Sequence, residues 1–311
     1  MERKAYFYID DVIWIFRDLT RERPKSMFDN HFLKVLKEAH DKYGLKVMLN
    51  VFYRTDYFYG NDEFTLAQMT EAYKNEWEEA SDWIKIAFHA KQEFPDYPHI
   101  NMDYEDMKEL YSDFKNAVLR FAGEKTLSVT FNPHWTSISK DGCRALCDMG
   151  VRMCNASYGD RKEYNGDPAS LPYGHAARLL NNRKPETMLF SRGTADKAID
   201  SSLCGYNHLP KEIEEKTKFN LEIVKDEEFD LYYKRYFNGL CLNLCSSEDL
   251  DAEMAKYIGK EYIGAATHEQ YSYPDYYNYH PDQPEKIMRM CKTLTENGYT
   301  FFFVEELLPE K

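Results

Sequence analysis

The rhythm of the chain constrains its fold more than any single motif. Short apolar runs rich in β-branched and aromatic residues alternate with longer amphipathic stretches. "KAYFYID" (4–10), "LKVMLNVF" (45–52), "WIKIAFHA" (83–90), "TLSVTFNPHW" (126–135) and "VRMCNAS" (151–157) each read as a strand. Between them, "SMFDNHFLKVLKEAHDKYG" (26–44) reads as a helix capped by Ser26 or Asp29 and stopped by Gly44. Its stripe is Phe32, Val35, Leu36 and Ala39. Residues 64–81 hold one or two helices. A further helix over 104–123 carries Met107, Leu110, Phe114, Val118 and Phe121 on one side, and 139–150 is a capped helix ending in Gly150. Strand–helix units joined by short turns predict parallel strands and right-handed crossovers.

The rhythm breaks over 158–245 and returns afterwards. "SSEDLDAEMAKYIG" (246–259) is a helix, "EYIGAATHEQ" (261–270) contains a strand, 282–298 is a helix, and 299–308 holds the last strand and a short helical tail. No linker composition and no internal repeat divides the chain. The expectation is an α/β fold in a single domain over 1–311. It is an irregular (β/α) barrel of TIM-like kind with an insertion at about 161–245.

The chain's 311 residues suffice for one barrel-sized domain. A formal charge of -13 argues against general nucleic-acid binding, which needs a basic stripe for phosphate. No apolar run is long enough to cross a bilayer. The seven cysteines form no CxxC pair. Cys143 and Cys147, like Cys241 and Cys245, stand four apart and read as apolar helix faces rather than as metal clips. The odd cysteine count, and the lack of an apolar signal core between Met1 and the first strand, predict a cytoplasmic protein. "YSYPDYYNYH" (271–280), with Tyr273 within it, reads as a loop whose rings and hydroxyls suit sugar rings or a protein surface.

Polar residues gather at the carboxyl ends of the expected strands: Asp10 and Asp11, Asp56, His89, His134, Asp160 and His268. In barrels of this kind the site lies on that face. Two adjacent carboxylates at the end of a buried strand need a cation, a turn or a proton, because an unpartnered buried carboxylate costs several kcal/mol or more. His89 and Glu93 stand four apart in "FHAKQEFP" and with Asp11 make a one-histidine, two-carboxylate metal site. Zinc is taken first; manganese, cobalt, iron and nickel remain open, since ligand type alone does not choose. Asp10 is then the base that takes a proton from water, and His268 the acid for the leaving group. His134 and Trp135 shape the pocket, and Arg54 binds substrate or pairs with Asp56. No phosphate loop, nucleophile elbow or dinucleotide fingerprint is present, so no nucleotide cofactor is expected.

In this order, "YIDD", "HAKQE", "FNPHW", "SYGD" and "ATH" resemble the motifs of the polysaccharide deacetylase (NodB-homology) family of metal-dependent carbohydrate esterases. The resemblance spans roughly 4–160 and 246–308 and implies an irregular (β/α)7-type barrel that removes N- or O-acetyl groups from sugars. It implies Asp10 as base, Asp11 and His89 as metal ligands, and His268 as the acid. Asp160 falls where the family has a late acidic residue. Glu93 stands in place of the family's second motif histidine, and Asn132 in place of an arginine that orients the base. The functional expectation is a metal-dependent hydrolase that deacetylates a small carbohydrate, with no nucleic-acid or membrane partner. The alternatives are a glycoside hydrolase using two of Asp10, Asp11, Glu93 and Asp160, and a non-catalytic carbohydrate-binding protein.

Overall fold

Strand β1 (Arg3–Val12) is the hub of the molecule. Along one edge it pairs with β9 (Tyr262–His268). Along the other it pairs first with β10 (Tyr299–Phe301) and then with β2 (Val47–Phe52). The sheet continues through β3 (Ile84–Ala90), β4 (Leu127–Phe131), β5 (Met153–Asn155), β7 (Tyr232–Lys234) and β6 (Val224–Lys225). Beyond β9 lies β8 (Leu240–Cys241). Every pairing is parallel except that of β6 with β7. The computed structural model describes residues 2–55, 63–93, 98–99, 102–134, 138–155, 216–226, 228–276 and 278–310. Among these the ten strands form one curled, mostly parallel α/β sheet, in keeping with the irregular (β/α) barrel that the rhythm predicted.

The two faces of β1 explain why the sheet is buried on both sides. Ala5, Phe7 and Ile9 join the larger core with the helices, whereas Tyr6 and Tyr8 join a second, inner core. That inner core contains Met48, Ala87, Met153, Tyr236, Tyr262 and Phe302. Alternating side chains thus feed alternate layers, and strands covered on both faces read as continuous apolar runs. Gly264 in β9 is required by a close approach: a Cβ there would overlap the backbone carbonyl of Tyr236.

Seven α-helices cover the outer face among the described residues: α1 (Trp14–Glu22), α2 (His31–Tyr43), α3 (Lys74–Glu79), α4 (Tyr104–Phe121), α5 (Lys140–Asp148), α6 (Leu250–Ala255) and α7 (Gln283–Glu296). Helix α2 buries Phe32, Leu33, Leu36 and Ala39 as its stripe requires. Its cap is Asn30, whose side chain accepts from the N–H groups of Phe32 and Leu33. Ser26 and Asp29 instead close a capping box on the short 3-10 turn Met27–Asp29. Strands β6, β7 and β8 fall inside the stretch expected to be an insertion. Two of them, β7 and β8, run parallel to their neighbours in the same sheet, so the later part of that stretch is barrel wall. No helix among the described residues is long and apolar enough to cross a membrane.

Candidate metal centre

Two adjacent strand residues ordinarily point to opposite faces. At the end of β1 a bulge removes that restriction. The β1–β2 register moves from Ile9 opposite Leu49 to Val12 opposite Val51, so three steps on β1 match two on β2. Asp11 takes the left-handed conformation, with φ 61°. A non-glycine residue held there costs of order 1–3 kcal/mol and persists only where its surroundings enforce it.

Glu269 supplies that enforcement. It follows His268 at the end of β9, is fully buried, and reaches across to the segment after the bulge. Its Oε2 accepts from the N–H groups of Ile13 (2.6 Å) and Trp14 (2.8 Å), and its Oε1 accepts from that of Ile15 (2.7 Å). These are orphan donors at the start of α1, so a residue distant in sequence caps this helix. Burial pushes the Glu269 carboxyl up to about 7, against the pull of the three N–H groups.

Asp11 Oδ1 lies 3.3 Å from His89 Nε2 and 3.3 Å from His134 Nδ1, and those two nitrogens are 3.1 Å apart. All three residues are buried. The opposite nitrogen of each imidazole faces a backbone carbonyl: His89 Nδ1 meets Asn132 O at 2.5 Å, and His134 Nε2 meets Glu93 O at 3.0 Å. A carbonyl only accepts, so those nitrogens carry the protons. In those tautomers bare nitrogens face Asp11, and among the described residues no hydrogen bond of acceptable geometry reaches Asp11 Oδ1. Three electron-pair donors therefore converge in a buried place. Tetrahedral ligands at about 2.0–2.1 Å from a metal stand about 3.3 Å from one another, so the donor set fits a divalent cation. The carbonyls that fix the two rings are the outer partners such ligands need.

Burial acts to raise the Asp11 carboxyl, but His134, His89 and His268 outweigh it and hold it well below the usual carboxylate range. His89 is moved the other way: burial acts to lower it, and Asp10, Asp11 and the Asn132 carbonyl raise it. Asp11 Oδ2 accepts from Gln270 Nε2 at 2.8 Å, and His268 Nε2 stands 3.9 Å away. Asp10, in register with His268, accepts at Oδ1 from Asn50 Nδ2 (2.7 Å) and Asn132 Nδ2 (3.1 Å). Burial first, then the charge of Asp11, raises the Asp10 carboxyl against opposition from His89, Asn50 and His134. His268 places Nδ1 3.0 Å from Asn243 Oδ1, which also accepts from Thr267 Oγ1 and Cys241 Sγ. Because Oδ1 only accepts, His268 donates from Nδ1 and turns Nε2 toward the centre.

A narrow pocket of about 10 Å³ opens beside Asp11, lined by Ile13, Trp14, Phe52, Arg54, Thr55, Glu93 and Gln270. The structure thus brings Asp10, Asp11, His89, His134 and His268 together. It places His134, expected in the pocket wall, within the donor cluster. Glu93, expected as a ligand, holds His134 through its backbone carbonyl while its side chain lines the pocket. Tyr273 is 3 % exposed and packs edge-on against Trp14 and against His31, so it stands behind the pocket wall. Trp135, Asp160 and Asp56 lie outside the described residues. Sequence reasoning missed Asn50, Asn243, Glu269 and Gln270. Asn50 had a readable signal, a lone amide inside the apolar run "LKVMLNVF".

No protein-family model and no curated protein sequence matches the chain. Among solved structures it is similar to the 4-alpha-glucanotransferase of Thermococcus litoralis, with a TM-score of 0.52 and 9% identity. That match covers 99% of this chain and 40% of the other, so this chain spans less than half of that protein. It is also similar to a family 4 acetyl xylan esterase from Clostridium thermocellum, solved with cobalt (TM-score 0.43, 11% identity, covering 98% of this chain and 90% of that one). A putative polysaccharide deacetylase from Mycobacterium smegmatis matches with a TM-score of 0.43 and 10% identity, over 96% of this chain and 85% of that one. At such identities the first likeness, to the glucanotransferase, concerns the fold alone.

Proposed function

We propose that the chain is a metal-dependent hydrolase that removes an acetyl group from a carbohydrate. One observation carries the reading: two imidazoles, each tied to a backbone carbonyl by one nitrogen, turn their bare nitrogens onto Asp11 in a buried site. Asp11, His89 and His134 would hold the ion, with zinc taken first. When bound, the ion supplies polarisation of the acetyl carbonyl and acidification of water.

The chain's own residues do the rest. Asn50 and Asn132 both bind Oδ1 of Asp10, which leaves Oδ2 to take the proton from attacking water. The raised Asp10 carboxyl is a stronger base than an exposed aspartate. His268, fixed by Asn243 through Nδ1–H, turns Nε2 toward the centre, where the ring in its doubly protonated form would hand the Nε2 proton to the leaving amine or alkoxide. Ile13, Trp14 and Phe52 line the pocket beside Asp11, where the acyl group would lie. Asn132, which replaces the arginine of the resembling family, still donates to the base. The six described cysteines are free thiols, which supports a cytoplasmic setting and a small sugar as substrate. A glycosidase reading would use two of Asp10, Asp11, Glu93 and Asp160; Asp11, held ionised beside the imidazoles, is unsuited to be its acid.

The test is metal content by elemental mass spectrometry, followed by acetate release from acetylated sugars, for the native chain and Asp10→Asn. Near-stoichiometric metal in both, with turnover only in the native chain, is expected. Full turnover in Asp10→Asn, or no metal after reconstitution, sinks the reading.

A further inference from the structure

Arg54 sits just beyond β2, in the wall of the pocket. Two carboxylates, Asp11 and Glu93, line the same pocket, and the whole chain carries a formal charge of -13. An arginine in such surroundings would ordinarily pair with a carboxylate. Arg54 does not. Its Nε donates to the neutral side-chain carbonyl of Gln92 at 2.5 Å, and among the described residues neither Nη atom has a hydrogen bond or an ion pair. Gln92 therefore orients the guanidinium without cancelling its charge. Asp11 is occupied by His89, His134 and Gln270. The result is a fixed, half-buried fork with two nitrogens to spare, beside aromatic walls from Trp14 and Phe52.

A guanidinium with its Nη atoms open matches the two oxygens of a carboxylate or phosphate, with geometry as well as charge. We propose that Arg54 reads an anionic group on the substrate, so that the preferred sugar is acidic: a uronic acid or a sugar phosphate rather than a neutral acetylated sugar. This deepens the deacetylase reading and rests on it for the word "substrate"; the anion site itself does not.

The experiment uses the zinc-loaded full chain and three probes built on one ring: N-acetylglucosamine, its 6-phosphate, and N-acetylglucosaminuronic acid. Binding is measured by titration calorimetry and acetate release in the same samples. At least one charged probe is expected to bind about tenfold or more tighter than the neutral one, as charge-assisted bidentate contacts allow. Which charged probe gains shows whether phosphate or carboxylate is the source. Arg54→Gln, its fold checked by circular dichroism, should abolish the preference, and Arg54→Lys should restore only part of it, because it keeps the charge and loses the fork. Equal binding of all three probes, no binding of any, or a preference that survives Arg54→Gln overturns the proposal. Acetate release reads the deacetylase question separately. Charge preference without acetate keeps the anion site and removes the deacetylase; equal acetate release from all three does the opposite.

Discussion

Glu269 accepts a hydrogen bond from the backbone N–H of Ile13 at 2.6 Å, across 256 residues of chain. With its bonds to Trp14 and Ile15 it joins the strand that carries His268 to the turn that carries Asp10 and Asp11. Removing the carboxylate leaves three buried donors without their partner, each costing about 1–3 kcal/mol. Glu269→Ala is therefore expected to lose at least about 3 kcal/mol in denaturant unfolding. The pH dependence has a definite sign. The folded carboxyl is raised to about 7 from 4.5, so the native state holds this proton more tightly than the unfolded one. Its contribution is fullest below about pH 4.5 and is lost as pH rises through about 7. The stability advantage of the native chain over Glu269→Gln should shrink by up to roughly 3 kcal/mol between pH 5 and 8. An advantage that grows with pH would mean that the three N–H groups outweigh burial.

The ligand set separates two arrangements of the same motifs. By geometry, Asp11→Ala, His89→Ala and His134→Ala should each weaken zinc binding at least about tenfold, since even outer-layer partners of a metal matter that much. Glu93→Gln should keep zinc, because it leaves the backbone carbonyl that holds His134. Chelator competition on the four variants decides. If Glu93→Gln loses zinc as completely as His89→Ala, the carboxylate is a ligand and the His134 assignment fails.

How far the sequence could be read depends on where each partner lies. Strand β2 was legible because both its faces are covered, which writes a continuous apolar run. Helix α1 was not, because no local side chain caps it and its start signal is Glu269 on another strand. Strands β7 and β8 are too short, at three and two residues, to show a period. The tyrosine loop misled for a different reason. Its polar spacing reads as surface, yet Tyr271, Tyr273 and Tyr276 are buried, Tyr271 against Tyr276 and His280, and Tyr273 and Tyr276 against Trp14. The order of Asp10, Asp11, His89 and His268 along the strand ends was readable. That His134 joins the donors was not, because it depends on which way the turn after β4 faces.

In the proposed reaction Asn50 makes the base, Asp10, adjustable. Its amide donates to Asp10 Oδ1 and pulls the carboxyl down against burial. Asn50→Leu preserves much of the volume and removes that donor, so the Asp10 carboxyl should rise further. A base must be deprotonated to act, and the acidic limb of the pH–rate profile should therefore move to higher pH. The rate on that limb should fall by about 10- to 100-fold, within the usual reach of one acid–base group. An unmoved limb would show that another group sets it.

Asn243 decides which nitrogen of His268 faces the centre. Its Oδ1 receives Nδ1–H and is itself held by Thr267 and Cys241. In Asn243→Ala the ring loses the acceptor that holds its proton on Nδ1. Proton delivery is needed after the substrate is bound, so kcat should drop about 10- to 100-fold while KM stays nearly unchanged. Asn243→Asp keeps an acceptor at the same place and should recover most of the rate. Nitrogen-15 shifts of His268 report the tautomer without any turnover: protonated at Nδ1 in the native chain and in Asn243→Asp, averaged in Asn243→Ala. A loss of kcat with the tautomer unchanged would move the role of Asn243 from orienting the acid to shaping the loop around it.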